Sequence, residues 1–262
     1  MCQWRRHPTT SVTEAIVGRP LIRIRETTST MELAGELAQL GAAAGTAVLA
    51  GHQTSGRGRT GHAWTAPPGS SILMSFIAYP TRPRAELGML SLLFGLTVAE
   101  TVETCGVGPA AIKWPNDVLV DGRKIAGILV ATRESPGVKN LSVIAGIGLN
   151  VNIEASDLPE LATSMTIESG PQTMDAVFLE LCGRLTTTLR QFDRGAEYEL
   201  RDRLDSRLAY RGEWVTVEDG PRIVSGRIQG LAGDGALILV SATGEEVHVV
   251  AGDVTRGPRP IG

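Results

Sequence analysis

Residues 111–132 read AIKWPNDVLVDGRKIAGILVAT, and the Asp121-Gly122 pair at their centre decides what kind of sheet to expect. Asp-Gly between two apolar, β-branched runs is a hairpin signal, because both residues tolerate the positive φ of a tight turn. Strands at Ala111–Lys113, Val118–Val120 and Ile125–Thr132 then pair antiparallel, which argues against a βαβ array. Working outward, Ala47–Gly51, Ser71–Tyr79 and Ser142–Ile153 are further strand candidates. Apolar residues recur at helical spacing over Met31–Leu40, Ala85–Thr104 and Gln172–Phe192. The pattern is α+β.

Beyond Tyr210 the texture changes. Glu213–Glu218, Arg222–Gln229, Ala236–Val240 and Glu246–Val250 read as short strands, separated by the turn signals Asp219-Gly220-Pro221, Gly233-Asp234-Gly235 and Ala242-Thr243-Gly244. A boundary near Arg211 divides the chain into residues 1–210 and 211–262, the second a small β-barrel with no catalytic residue set of its own.

Of the 262 residues, 42% are hydrophobic and 20% charged, a balance that excludes disorder. A net charge of −3 gives no global attraction to nucleic acid or anionic membrane. Cys2, Cys105 and Cys182 form no C-x-x-C pair, and His7, His52, His62 and His248 lack ligand spacing, so no protein-held metal is expected. The segment Met1–Pro20 lacks the apolar core of a secretion signal, and no later apolar run reaches membrane-spanning length. A cytoplasmic chain with reduced thiols is the expectation.

Four segments carry unusual chemistry. His52–Trp64, HQTSGRGRTGHAW, spells G-x-G-x-x-G across Gly56, Gly58 and Gly61. A dinucleotide fold requires a helix to start there, yet the chain runs on into Pro67-Pro68-Gly69, so that reading is rejected. A mobile glycine-rich loop remains, bearing Arg57 and Arg59, whose forked donors suit carboxylate and phosphate oxygens; the alternative is a solvated turn. Lys113-Trp114-Pro115-Asn116-Asp117 sets a cation, an aromatic ring, an amide and a carboxylate side by side, although Pro-Asn-Asp is also ordinary turn chemistry. Lys124 is the last charge before a long apolar strand, available to a buried anion or else snorkelling to water. Within strands, Gly127, Gly146 and Gly148 mark bulges or places where a ligand lies against backbone. Finally, Ser29 with Glu32 forms a capping box before the first helix, whose hydroxyls and free N–H groups also suit a polar ligand.

In order along the chain, GRGRTG (56–61), KWPND (113–117), RKIAGIL (123–129) and GIGLN (146–150) resemble the biotin protein ligase family, over residues 21 to 256. The resemblance implies an α+β catalytic domain on a mixed, largely antiparallel sheet with helices on one side, followed by an SH3-like barrel. It also implies a two-step reaction. Biotin carboxylate attacks the α-phosphate of ATP to give biotinyl-5′-adenylate and pyrophosphate, with Mg²⁺ carried by the phosphates, and an acceptor lysine then attacks the mixed anhydride.

Carried over position by position, the resemblance makes Ser29, Thr30, Gln53, Gly56, Arg57, Gly58, Arg59 and Lys124 the biotin and adenylate contacts. Gly127 and Leu129 line the biotin pocket, and Trp64 and Asn150 enclose the adenine. Lys124 and Arg57 are the catalytic cations, Asn116 and Asp117 lie near the phosphates or the incoming lysine, and Asp117 accepts or orients the amine proton. The arginine loop folds over the adenylate and excludes water. Met31 stands where family members commonly carry asparagine. The implied partner is the biotin carboxyl carrier domain of a biotin-dependent carboxylase. Family members often form homodimers, and the oligomeric state of this chain is left open. With about twenty residues ahead of the catalytic region, no DNA-binding helix-turn-helix and no repressor role are expected. Lipoate ligases and octanoyltransferases share the fold, and a non-catalytic biotin-binding protein would need neither Arg57 nor Lys124.

Overall fold

The computed structural model describes residues 15–134 and 141–257; Cys2, His7 and most of the Met1–Pro20 segment lie outside the described residues. The chain order begins β1 (Leu21–Ile24), α1 (Thr30–Gln39), β2 (Ala47–Ala50), β3 (Ser71–Ala78) and α2 (Leu90–Thr104). It continues through β4 (Ala110–Lys113), β5 (Asp117–Val120), β6 (Arg123–Arg133), β7 (Ser142–Asn150), α3 (Met165–Ser169), α4 (Met174–Asp193) and α5 (Glu197–Arg207). The tail forms β8 (Trp214–Asp219), β9 (Arg222–Leu231), β10 (Leu237–Val240), β11 (Glu246–Val249) and β12 (Asp253–Arg256).

The hairpin at Asp121-Gly122 forms as its residues dictate. Their φ values are 48° and 76°, and Val120 pairs with Arg123. The sheet it belongs to runs β1-β2-β3-β7-β6-β5-β4. Only β1 and β2 are parallel, so the sheet is mixed and largely antiparallel.

Because side chains alternate along each strand, the sheet has two covered faces. Met74, Phe76, Ala145 and Ile147 join the large core under α2 and α4, where Phe76 meets Phe94 edge to face at 5.2 Å. The opposite residues, Val48, Ile77, Tyr79 and Ile144, pack with Ala34 and Ala38 of α1. The helices are therefore not confined to one side: α1 is the exception, and it covers the face that carries the candidate site. The helical stretch Arg84–Thr104 is in fact long and apolar enough to cross a membrane, contrary to expectation, but most of it is buried against this sheet. Four elements went unread in the sequence: β1, the short α3, the polar α5, and β12.

The second sheet is antiparallel in the order β11-β10-β9-β8-β12, the architecture expected of an SH3-like barrel. Its apolar residues Val215, Val217, Leu237 and Leu239 are continuous with the core of the first sheet. One buried hydrogen bond keys the two together. The Trp114 indole N–H donates to the Gly235 carbonyl at 3.0 Å, and Trp114 is 3% exposed. Trp114→Phe removes that donor and leaves a buried carbonyl unpaired, so unfolding free energy should fall by about 1–3 kcal/mol in a urea titration.

Candidate functional site

Lys124 reaches the site through an irregularity in its strand. Gly127 and Leu129 point to the α1 face, and strict alternation would send Lys124, three residues before Gly127, to the other side. Leu119 pairs with Lys124 but Val118 pairs with Ala126, so Ile125 is the extra residue of a β-bulge. Ile125 and Ala126 both enter the core beneath, and Lys124 turns up beside Gly127. A Cβ built on Gly127 would lie 3.3 Å from Lys124 Cε and 3.4 Å from its Nζ. The ammonium lies 2.7 Å from Asp117 Oδ1, on the neighbouring strand, and 5.5 Å from the centroid of the Trp64 ring.

The floor of the site is bare backbone. Gly127 and Gly148 are opposite each other across β6 and β7, and Gly146 is opposite Leu129. A Cβ on Gly148 would sit 2.5 Å from Trp64 Cε2, and one on Gly146 would sit 2.7 Å from Met31 Sδ. The glycines thus let an indole and a thioether lie flat on the sheet, which resolves the alternative left open for them in favour of close approach rather than bulges.

The arginine loop is folded back on itself. Gly58 N–H donates to His62 O at 2.7 Å and Trp64 N–H to Gly56 O at 3.0 Å. Arg57 pairs with Glu32 at its exposed edge. Arg59 is more enclosed: it donates to Asn116 Oδ1 and to Gly252 O, each at 3.3 Å, and lies 3.6 Å from Asp253 Oδ1. One guanidinium thereby ties the loop, the turn before β5 and the barrel into one wall.

The start of α1 departs from a capping box. Ser29 makes no side-chain cap bond, and Glu32 instead accepts from Thr28 Oγ1 at 3.0 Å and from Arg57. Gln53 does the capping: its Oε1 accepts from Thr30 N–H at 2.7 Å and from Thr30 Oγ1 at 3.0 Å. The Thr30 hydroxyl has one proton, so the 2.7 Å contact with Ser75 is donated by Ser75. Ser29 Oγ is left without a partner although the residue is only 1% exposed, and it borders the cavity. A buried hydroxyl with no partner is a place for a ligand's polar atom.

Together these groups enclose a cavity of about 320 Å³. Of the expected residues, Ser29, Thr30, Gln53, Arg57, Gly58, Arg59, Trp64, Asn116, Asp117, Lys124, Gly127 and Leu129 line it. Gly56 does not; its role is steric, since a Cβ there would lie 2.3 Å from Trp64 O. Nor does Asn150, which is 4% exposed and donates its amide to Thr163 O at 2.9 Å. Met31 and Lys113 also line the cavity, as do Asp253, Val254 and Thr255 of the barrel. Lys113 was visible in KWPND as a cation; nothing in the short segment Asp253–Thr255 marked it as part of a site.

Formally, four cations (Arg57, Arg59, Lys113, Lys124) face two carboxylates (Asp117, Asp253), so the cavity favours anions and stabilises negative charge as it develops. Neither described cysteine lines it. Burial pushes the Cys182 thiol up to about 12, so it stays protonated and unreactive at neutral pH.

Residues 21–150 match the Biotin/lipoate A/B protein ligase family, and residues 211–257 match the Biotin protein ligase C terminal domain. A biotin--[acetyl-CoA-carboxylase] ligase of Mycobacterium tuberculosis is 34% identical over 217 residues, covering 80% of this chain and 78% of that protein. The bifunctional ligase/repressor BirA of Bacillus spizizenii is 39% identical over 160 residues, 59% of this chain and 49% of its own length. The chain thus spans about half the length of that relative. A biotin protein ligase of Aquifex aeolicus, solved in complex with biotin and ATP, superposes with a TM-score of 0.77 at 30% identity, over 90% of this chain and 99% of that one.

The bare floor gives a direct test. Gly148→Ala places a methyl inside the indole, so Trp64 must leave the sheet. The near-UV circular dichroism that Trp64→Phe removes should be lost in Gly148→Ala as well, at a stability cost of about 1–3 kcal/mol.

Proposed function

Because this chain belongs to the biotin protein ligase family, we propose that it adenylates biotin with ATP and transfers the biotinyl group to a lysine of a biotin carboxyl carrier domain. The observation that carries this reading is the cavity itself: four cations above a flat, glycine-lined floor, with one buried hydroxyl left unpartnered. Biotin and ATP are the substrates, and Mg²⁺ enters on the phosphates.

The first step joins two anions. A carboxylate oxygen bonds to the α-phosphorus while pyrophosphate leaves, and charge accumulates on the phosphoryl oxygens. Lys124 and Arg57 neutralise the approaching oxygens and hold them as that charge develops. The Ser29 hydroxyl takes a polar atom of the biotin ring system, with Thr30 and Gln53 fixed beside it. Trp64 offers a stacking face to the adenine, and Asn150 acts from behind the wall. In the second step the acceptor amine attacks the anhydride carbonyl and AMP departs with its bonding electrons. Asp117, beside Lys124 at 2.7 Å, accepts or orients the amine proton. Residues 1–210 act as the catalytic unit, in the cytoplasm, and residues 211–262 close its wall. A lipoate ligase reading is less favoured, since the ordered motifs and the barrel match biotin ligases.

Pyrophosphate release from ATP and Mg²⁺ should require biotin and not respond to lipoate; release with lipoate alone would overturn the substrate. Arg59→Gly cuts the tether to Asn116 and the barrel, and should raise free adenylate, read as labelling of bystander lysines. Asp117→Asn should slow transfer from preformed adenylate by about tenfold or more, checked in single turnover.

A further inference from the structure

Lys124 stands beside a β-bulge, where the ladder alone fixes the backbone poorly. A strap following β7 holds it from the other side. Lys124 N–H donates to Leu161 O at 2.8 Å, and Thr163 N–H donates to Lys124 O at 2.9 Å. Val151, Ile153 and Met165 anchor the ends of this strap by burial, but at the contact itself Leu161 is 75% exposed, so its side chain adds no apolar anchor beside Lys124.

Polar contacts fix it at that point. Thr163 is fully buried, its carbonyl takes the Asn150 amide, and its hydroxyl donates to Glu168 Oε1. The same carboxylate oxygen accepts from Arg123 at 2.8 Å, and Arg123 directly precedes Lys124. The Glu168 side chain is only 10% exposed. Its helix, α3, is fixed at its start by Ser164, whose hydroxyl donates to Ile153 O at 2.6 Å and accepts from Ile167 N–H at 3.3 Å. One carboxylate therefore grips both sides of Lys124: the residue before it in β6 and the residue bonded to its carbonyl in the strap.

We propose that Glu168 is a positioning residue for Lys124, acting through Arg123 and Thr163, an inference that rests on the reaction assigned above. Glu168 does not line the cavity and touches no substrate. It sets where the Lys124 ammonium stands when charge develops on the phosphoryl oxygens. Misplacing a group that acts chiefly in the transition state lowers kcat and leaves substrate binding nearly alone.

Glu168→Gln keeps the size and an acceptor oxygen but loses the charge; Thr163→Val keeps the shape but loses the hydroxyl. Each should lower kcat for biotin-dependent pyrophosphate release about tenfold, with KM for biotin changed by less than about twofold, while Thr163→Ser recovers the wild-type kcat. In both loss variants the Lys124 amide should exchange hydrogen faster, with the amides of β3 and β7 unchanged. An unchanged kcat in an active background overturns the proposal, even if the unfolding midpoint falls, and so does unchanged exchange at Lys124. Should the wild type release no pyrophosphate with biotin, the reaction reading falls by itself, and amide exchange alone decides whether Glu168 clamps Lys124.

Discussion

Gly127 and Gly148 stand opposite each other in the centre of the sheet, and the missing side-chain layer between them is the constraint on which the site is built. With any larger residue there the indole of Trp64 could not reach the backbone, and the loop that carries Trp64 could not close. Interior strand glycines weaken a sheet by lost packing and added chain entropy, so their cost is offset elsewhere. The offset lies on the opposite face, where Ala126, Ile128, Ile147 and Leu149 are buried under the helices. One face supplies stability and leaves the other free for a ligand.

The charges divide along a similar line. Arg57 is 60% exposed and its pair with Glu32 is open to water, so that contact is worth about 1 kcal/mol or less and gives way readily to an incoming anion. Arg59 is 24% exposed and meets Asn116, Gly252 and Asp253 together, so its guanidinium ties the loop to the barrel while still lining the cavity. Two arginines separated by one glycine thus have different tasks: Arg57 is exchangeable, and Arg59 couples the barrel to the cavity. Lys124 belongs to neither group. Its counter-charge Asp117 is on the adjacent strand, and its backbone is gripped from the strap and Glu168.

Much of the site was legible because its residues are neighbours in sequence. Arg57, Gly58, Arg59 and Trp64 come from one loop, and Lys124, Gly127 and Leu129 from one strand. Ser29 and Thr30 were found as a helix start, yet the capping box expected there gave way to Gln53. A side chain 23 residues away takes the neighbouring Thr30 N–H, and local pattern cannot report that contact. Asn150 was placed at the adenine by the family resemblance alone; its amide donates to Thr163 O, thirteen residues on, in a segment whose lack of periodicity gave no sign of that contact. The barrel strand β12 was missed because four residues with one buried side chain carry too little alternation to be seen.

By itself, then, the sequence determined the α+β class, the hairpin at Asp121-Gly122, the barrel-like tail and the identity of the cavity's cations, because turn chemistry, alternation and short motifs act between near neighbours. Tertiary structure alone decided that α1 covers the site's face, that a bulge at Ile125 turns Lys124 toward the cavity, that Asp253 closes its wall and that Glu168 stands behind Lys124. Those depend on strand register and on contacts between residues tens to hundreds of positions apart, and such contacts form only once the whole core has packed.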